Sequence, residues 1–144
     1  MILKQYHYRI YIMKLITKDI DYAFRALSFM AKKDGIVSVS ELYQELKISK
    51  PYLRSILQKL NKSGILKSFK GKGGGFTLAV SPGDIRLSDI MHIFKGNFKL
   101  SECLIRKDPC PDISHCLLRD KINQIKGMVE KELHATTLES IILR

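Results

Sequence analysis

The chain has 144 residues, with 25 Lys plus Arg against 14 Asp plus Glu and a formal charge of +11. That length houses one core with an appended arm rather than two full domains, and that charge points to a polyanionic partner, nucleic acid first, and away from ordinary metabolic chemistry. No apolar run approaches the roughly 18 residues of a membrane span, and Lys4, His7 and Arg9 interrupt any signal-peptide centre, so a cytoplasmic protein without a membrane partner is expected. In a reducing compartment disulfides are rare, and three cysteines cannot pair fully within one chain, which favours metal or redox chemistry for them.

Residues 1–12 alternate Tyr6, Tyr8, Ile10 and Ile12 with His7, Arg9 and Tyr11 in a strand-like way. They read either as an extension ahead of a true start at Met13 or as a basic arm that touches a phosphate backbone. From Ile20 the apolar positions Ile20, Ala23, Phe24, Leu27, Met30 and Ala31 follow the spacing of an amphipathic helix, ended by Lys33, Asp34 and Gly35. Ser38 and Glu41 form a capping box for a short helix carrying Leu42, Tyr43 and Leu46. After a turn at Lys47 and Ile48, Ser49 is placed to cap a further helix, with Pro51 in its first turn and Leu53, Ile56, Leu57 and Leu60 as its buried stripe; Gly64 stops it. Two short helices joined by a tight turn are a helix-turn-helix, whose second helix lies in the major groove.

Residues 65–70 and 76–80 are strand-like runs around a glycine-rich tip at 71–75. A nucleotide-cradling loop would need Gly-Lys followed by Ser or Thr opening a helix, whereas here a strand follows. Between Lys47 and Lys72 stand Lys47, Lys50, Arg54, Lys59, Lys62, Lys67, Lys70 and Lys72 with no acidic residue. By itself such a run is often a solvated face; on a reader helix and its wing it becomes a duplex-binding surface, with Gly73 at the tip. The fold class expected is mainly α with a small β-hairpin wing: a winged helix-turn-helix plus a long C-terminal helix.

Downstream, Leu87-Ser88-Asp89-Ile90 opens a short helix through Phe94, and all three cysteines then fall together at Cys103, Cys110 and Cys116. Pro109 and Pro111 forbid a regular helix around Cys110, so the thiols can turn toward one point. Leu118, Ile122, Ile125, Val129 and Leu133 then make a narrow apolar seam on a long helix, which wants a partner helix.

These residues resemble the Rrf-two family of winged-helix transcriptional regulators from Met13 to the C-terminus. The most specific parts are Tyr22-Ala23 in the first helix, Ile48-Ser49-x-x-Tyr52-Leu53 at the reader helix, and Gly64-Ile65-Leu66 leading to Ser68 through Phe76. The resemblance implies that Ser49, Pro51, Tyr52 and Arg54 approach base edges or phosphates, that the wing enters the adjacent minor groove, and that the long helix makes a homodimer on a pseudo-palindromic operator. It has Lys70 where the family's wing commonly has Arg, and Arg54 where cluster-bearing members often have Glu, so their operator sequences do not carry over.

Structural zinc usually takes ligands two to four residues apart, whereas gaps of six and five suit a loop around something larger. Family members with a comparable loop hold an iron–sulfur cluster, 4Fe-4S or 2Fe-2S, although their first gap is typically five residues; three reduced thiols without metal and a zinc site are the alternatives. For the fourth ligand, IscR-like members use a His three residues after the last Cys, where this chain has Arg119. NsrR-like members use an Asp from the partner's first helix, and Asp21 stands at the matching place, with favourable placement near a helix N-terminus as its plain alternative. His115 is the reserve; His92 and His134 read as surface or helix residues.

No catalytic constellation is visible, so an enzyme is not expected. The organisation read from the sequence is an extension at 1–12, a winged helix-turn-helix at 13–80, a connecting helix at 81–98, a cysteine loop at 99–116, and a dimerisation helix and tail at 117–144. The function expected is that of a cluster-controlled regulator acting as a repressor, or else of a regulator of the same fold that responds through thiols, a metabolite or a protein partner.

Overall fold

The structure is a computed structural model that describes residues 15–33, 35–98 and 115–143. Helix α1 spans Lys18–Lys32 and buries Ile20, Ala23, Ala26, Leu27 and Met30 on one stripe, while Asp19 and Asp21 sit at its positive end and Lys32 at its negative one. The chain leaves α1 extended at Lys33 and enters α2, Val39–Leu46, through the capping box foreseen in the sequence. Glu41 N donates to Ser38 Oγ at 3.2 Å, and Ser38 N donates to Glu41 Oε2 at 2.8 Å. The Lys33 ammonium donates to the other Glu41 oxygen; that bond, then the Ser38 donors, hold the Glu41 carboxyl at about 2. Lys47 ends α2 in the left-handed region at φ 54°, the conformation that turns the chain into α3, Lys50–Lys62. Ser49 occupies the N-cap position of α3, but its side chain makes no capping bond.

The hairpin pairs β1, Leu66–Phe69, with β2, Gly75–Leu78, antiparallel, in the register Leu66 with Leu78 through Phe69 with Gly75. Each strand is shorter than its strand-like run, because Ala79 and Val80 bend away after one last bond from Ala79 N to Ile65 O at 2.8 Å. On its other edge β2 takes an isolated bridge from Val37, through Val37 N to Phe76 O at 2.8 Å and Phe76 N to Val37 O at 2.9 Å. Gly75 makes this approach possible, since a Cβ there would lie 2.3 Å from Val37 O. The wing is therefore pinned at its base to the segment between α1 and α2.

A short 3-10 turn at Pro82–Asp84 leads to α4, Leu87–Lys95, and the chain continues with α5, Leu117–Ala135, and α6, Leu138–Ile142. The core unites these elements: Ile20, Leu27, Leu42, Leu53, Leu57, Leu60, Ile85, Ile90 and Leu138 are all fully buried in one cluster. Each such side chain contributes about 1.5–3 kcal/mol of transfer free energy. Helix α6 lies in what the sequence offered only as a tail. It docks on α1 and the 3-10 turn, and backbone bonds from Leu87 N to Thr136 O at 2.9 Å and from Leu138 N to Ile85 O at 2.8 Å tie it to the start of α4. The seam on α5 is divided by this packing. Leu133 is buried in the protomer's own core at 8% exposure, whereas Leu118 and Ile125 remain 63% and 39% exposed. Among the described residues no helix is long and apolar enough to cross a membrane.

Candidate nucleic-acid interface and cluster site

Helix α3 is two-faced. Leu53, Ile56, Leu57 and Leu60 are buried, and at 100° per residue the opposite stripe is Pro51, Arg54, Ser55, Gln58 and Lys62, all exposed. Ser55 and Gln58 were not singled out in the sequence; the continuation of one helical period opposite the leucines is the signal that marks them. Arg offers two parallel donors to the O6 and N7 acceptors of guanine, and Gln a donor and an acceptor to the N7 and N6 of adenine, on their major-groove edges. Beside this stripe, Gln58 and Asn61 share a cleft with Ser38, Ser40, Lys70 and Gly71 of the α2 start and the wing. Ser49, Lys50, Lys70, Lys72 and Gly73 are exposed, as an interface needs. Among the described residues, no carboxylate forms an ion pair with Lys50, Arg54, Lys62, Lys70 or Lys72.

Three of the expected contacts sit at the flanks of α3. Lys59 Nζ lies 5.3 Å above the Phe94 ring of α4, and Lys50 Nζ lies 5.3 Å above the Tyr43 ring of α2, positions worth about 0.5–1 kcal/mol each as cation–π contacts. Tyr52, expected to approach the DNA, is half-buried and turned toward α1. Its hydroxyl donates to Asp19 Oδ1, and its ring meets Tyr22 edge-on, with centroids 6.0 Å apart at 88°. The Asp19 bond, then burial, pushes the Tyr52 hydroxyl up to about 12.

Of the expected cluster ligands, Cys103 and Cys110 lie outside the described residues, as do residues 1–12. Cys116 is a reduced thiol, half-exposed, at the N-cap position of α5. Asp21 is on the outward side of α1 with its side chain 46% exposed, and both carboxylate oxygens accept from Arg25 Nε, at 3.1 and 3.0 Å. The groove around it is lined by Phe24, Ser28, Phe29 and Lys32. Arg119 follows in the first turn of α5 and offers no metal donor. His134 is engaged elsewhere: Arg86 Nη1 bonds to its Nε2, and since a guanidinium only donates, that ring nitrogen accepts. Among the described residues no three His, Cys, Asp or Glu side chains come together as a metal site.

A helix-turn-helix with a pinned wing and an unpaired cationic outer face defines a winged-helix, DNA-binding transcriptional regulator. The chain belongs to the Rrf2 family: the family model, described as an iron-dependent transcriptional regulator, matches residues 16–144. It is 29% identical over 131 residues to the HTH-type transcriptional regulator NsrR of Bacillus licheniformis, covering 89% of this chain and 92% of that one. The fold matches the structure of CymR, the global cysteine regulator of B. subtilis, with a TM-score of 0.73, 27% identity, and coverage of 88% and 95% of the two chains. It matches T. potens IscR with a TM-score of 0.68, 25% identity, and coverage of 88% and 85%.

Proposed function

We propose that this regulator is a cytoplasmic homodimer, acting as a repressor, whose affinity for a pseudo-palindromic operator is controlled by an iron–sulfur cluster, 4Fe-4S or 2Fe-2S. The observation that carries the reading is the gathering of all three cysteines at Cys103, Cys110 and Cys116, in a chain whose outward reader stripe and wing carry unpaired cations. The donor set suits such a group. Three soft thiolates bind iron, and Cys116 stands at the N-cap position of α5. Asp21 from the partner's α1 supplies an exposed carboxylate as the fourth ligand, in place of the His that Arg119 replaces. When bound, the cluster supplies a centre open to attack by nitric oxide or oxidants at its weakly held oxygen ligand. As a ligand Asp21 would give up its pairing with Arg25, which would tie the cluster's state to the helix that carries the reader's neighbours.

The dimer is supported by the apolar strip of Leu117, Leu118, Ile125 and Met128, all exposed along α5. A two-fold axis there gives two reader helices for two half-sites. Ser49, Lys50, Pro51, Arg54, Lys70, Lys72 and Gly73 meet the duplex, and Lys59 approaches phosphates from the flank.

Anaerobic purification tests the cluster: the expected protein is brown, carries iron and sulfide, and binds DNA with a slope of log K against log salt near about −5 for about six neutralised phosphates. A protein that stays colourless after anaerobic reconstitution but binds DNA would instead support regulation without a cluster, through thiols, a metabolite or a protein partner. The likeness to the cysteine regulator CymR favours that second reading. Salt-insensitive binding, or none to any duplex, refutes both.

A further inference from the structure

Among the described residues, Tyr52 is the one side chain near the start of the reader helix that is drawn to another element by a hydrogen bond. Its hydroxyl reaches Asp19 across 33 positions of sequence, and the two residues lie in the first turns of α3 and α1. Asp19 and Asp21 are two positions apart, so they point about 200° apart around α1. One side of that helix therefore holds the reader, and the opposite side holds the carboxylate paired with Arg25. The rest of α3 is seated by Leu53, Ile56, Leu57 and Leu60. Apolar burial is non-directional and constrains the roll of a helix only through shape, whereas a hydrogen bond has a preferred distance and angle. The Tyr22 ring meets the phenol edge-on. With its proton held up to about 12, Tyr52 stays a donor throughout the physiological range.

We propose that Tyr52 is a positioning residue: seated on Asp19, its hydroxyl sets the roll of α3 and so the angle at which Pro51, Arg54, Ser55 and Gln58 meet the duplex, without touching DNA itself. The proposal rests on α3 being the reader helix.

A double-mutant cycle on DNA binding by the full-length protein separates positioning from contact. The probe is a duplex selected by the wild-type protein from a random-sequence pool, measured against unselected duplex. Tyr52→Phe keeps the ring and removes the donor; Asp19→Ala removes the acceptor. Each is expected to lower the preference for the selected duplex about tenfold, the scale of one well-placed base contact. The double variant should lose no more than either single one, and the salt slope should not change, because the phosphate contacts remain. Asp19→Asn keeps an acceptor oxygen and should restore most of the preference, which a general loss of folding would not allow. Loss in Tyr52→Phe with none in Asp19→Ala means that the hydroxyl contacts DNA and overturns the proposal, as do losses that add or singles that match the wild type. A wild-type protein that binds no duplex overturns the reader assignment and the proposal with it.

Discussion

Gly75→Ala is the substitution that the structure resolves most sharply. The added Cβ would lie 2.3 Å from Val37 O, 2.8 Å from Val37 C and 3.0 Å from Ser38 Cα, all backbone atoms that no side-chain rotation can clear. A carbon–oxygen contact rests at about 3.3–3.6 Å, so Val37 has to retreat by about 1 Å. The two bridge bonds, now 2.8 and 2.9 Å, would then stretch beyond useful hydrogen-bond length. Losing both costs about 1–3 kcal/mol net, before any loosening of the fully buried Val37 side chain. In a chain of this size that lowers the melting temperature by roughly 3–10 °C. The wing also loses its anchor, so DNA affinity should fall at temperatures where the protein remains folded. Thermal denaturation followed by circular dichroism, with DNA titrations on the same samples, reads both effects. Gly127→Ala is the control, since nothing lies within 4 Å of that position on the back of α5; it should stabilise by about 0.5–1 kcal/mol. If Gly75→Ala melts with the wild type, the close approach of Val37 is wrong.

Ile125→Asp places a charge in the exposed apolar strip of α5 and, if a second copy covers that strip, buries two unpaired carboxylates per dimer; sedimentation should report monomer, and a dimer that persists refutes the strip as the interface. Glu41 has its pKa lowered from 4.5 to about 2, so its contribution to stability is fully present above 4.5 and lost as pH falls through about 2. The melting temperature of Glu41→Gln should accordingly fall less than that of the wild type across that window, and parallel acid profiles would contradict the Lys33–Glu41–Ser38 arrangement. For the proposed cluster, Cys116→Ser should abolish or severely destabilise it, whereas Asp21→Ala should assemble one with altered spectra and faster loss in air or nitric oxide. Wild-type spectra and lifetime in Asp21→Ala would return attention to His115.

The sequence by itself determined those elements whose causes lie within a few residues of one another. The Ser38–Glu41 box, the turn at Lys47, the leucine stripe of α3 and the glycine-rich tip of the wing act over one to a few turns, so their spacing is legible without a fold. The cationic run of the reader is equally plain, because charge accumulates along the chain wherever it folds. Which way individual side chains turn was decided only by tertiary structure. Tyr52 went to Asp19 and Lys59 to Phe94 because partners from α1 and α4, distant in sequence, arrive at the flanks of α3. Leu133 was read as part of a seam for a partner helix, but α4 reaches it first and takes it into the protomer's core, leaving Leu118 and Ile125 uncovered. Helix α6 has only five residues, too few to stand as a helix alone, and it exists because Leu138 is buried beside Ile85 and the backbone around Arg86 bonds to Thr136 and Leu138. Periodicity tells which residues seek cover; only the assembled fold decides what covers them, because burial and directional bonds depend on neighbours that the chain brings together from far apart.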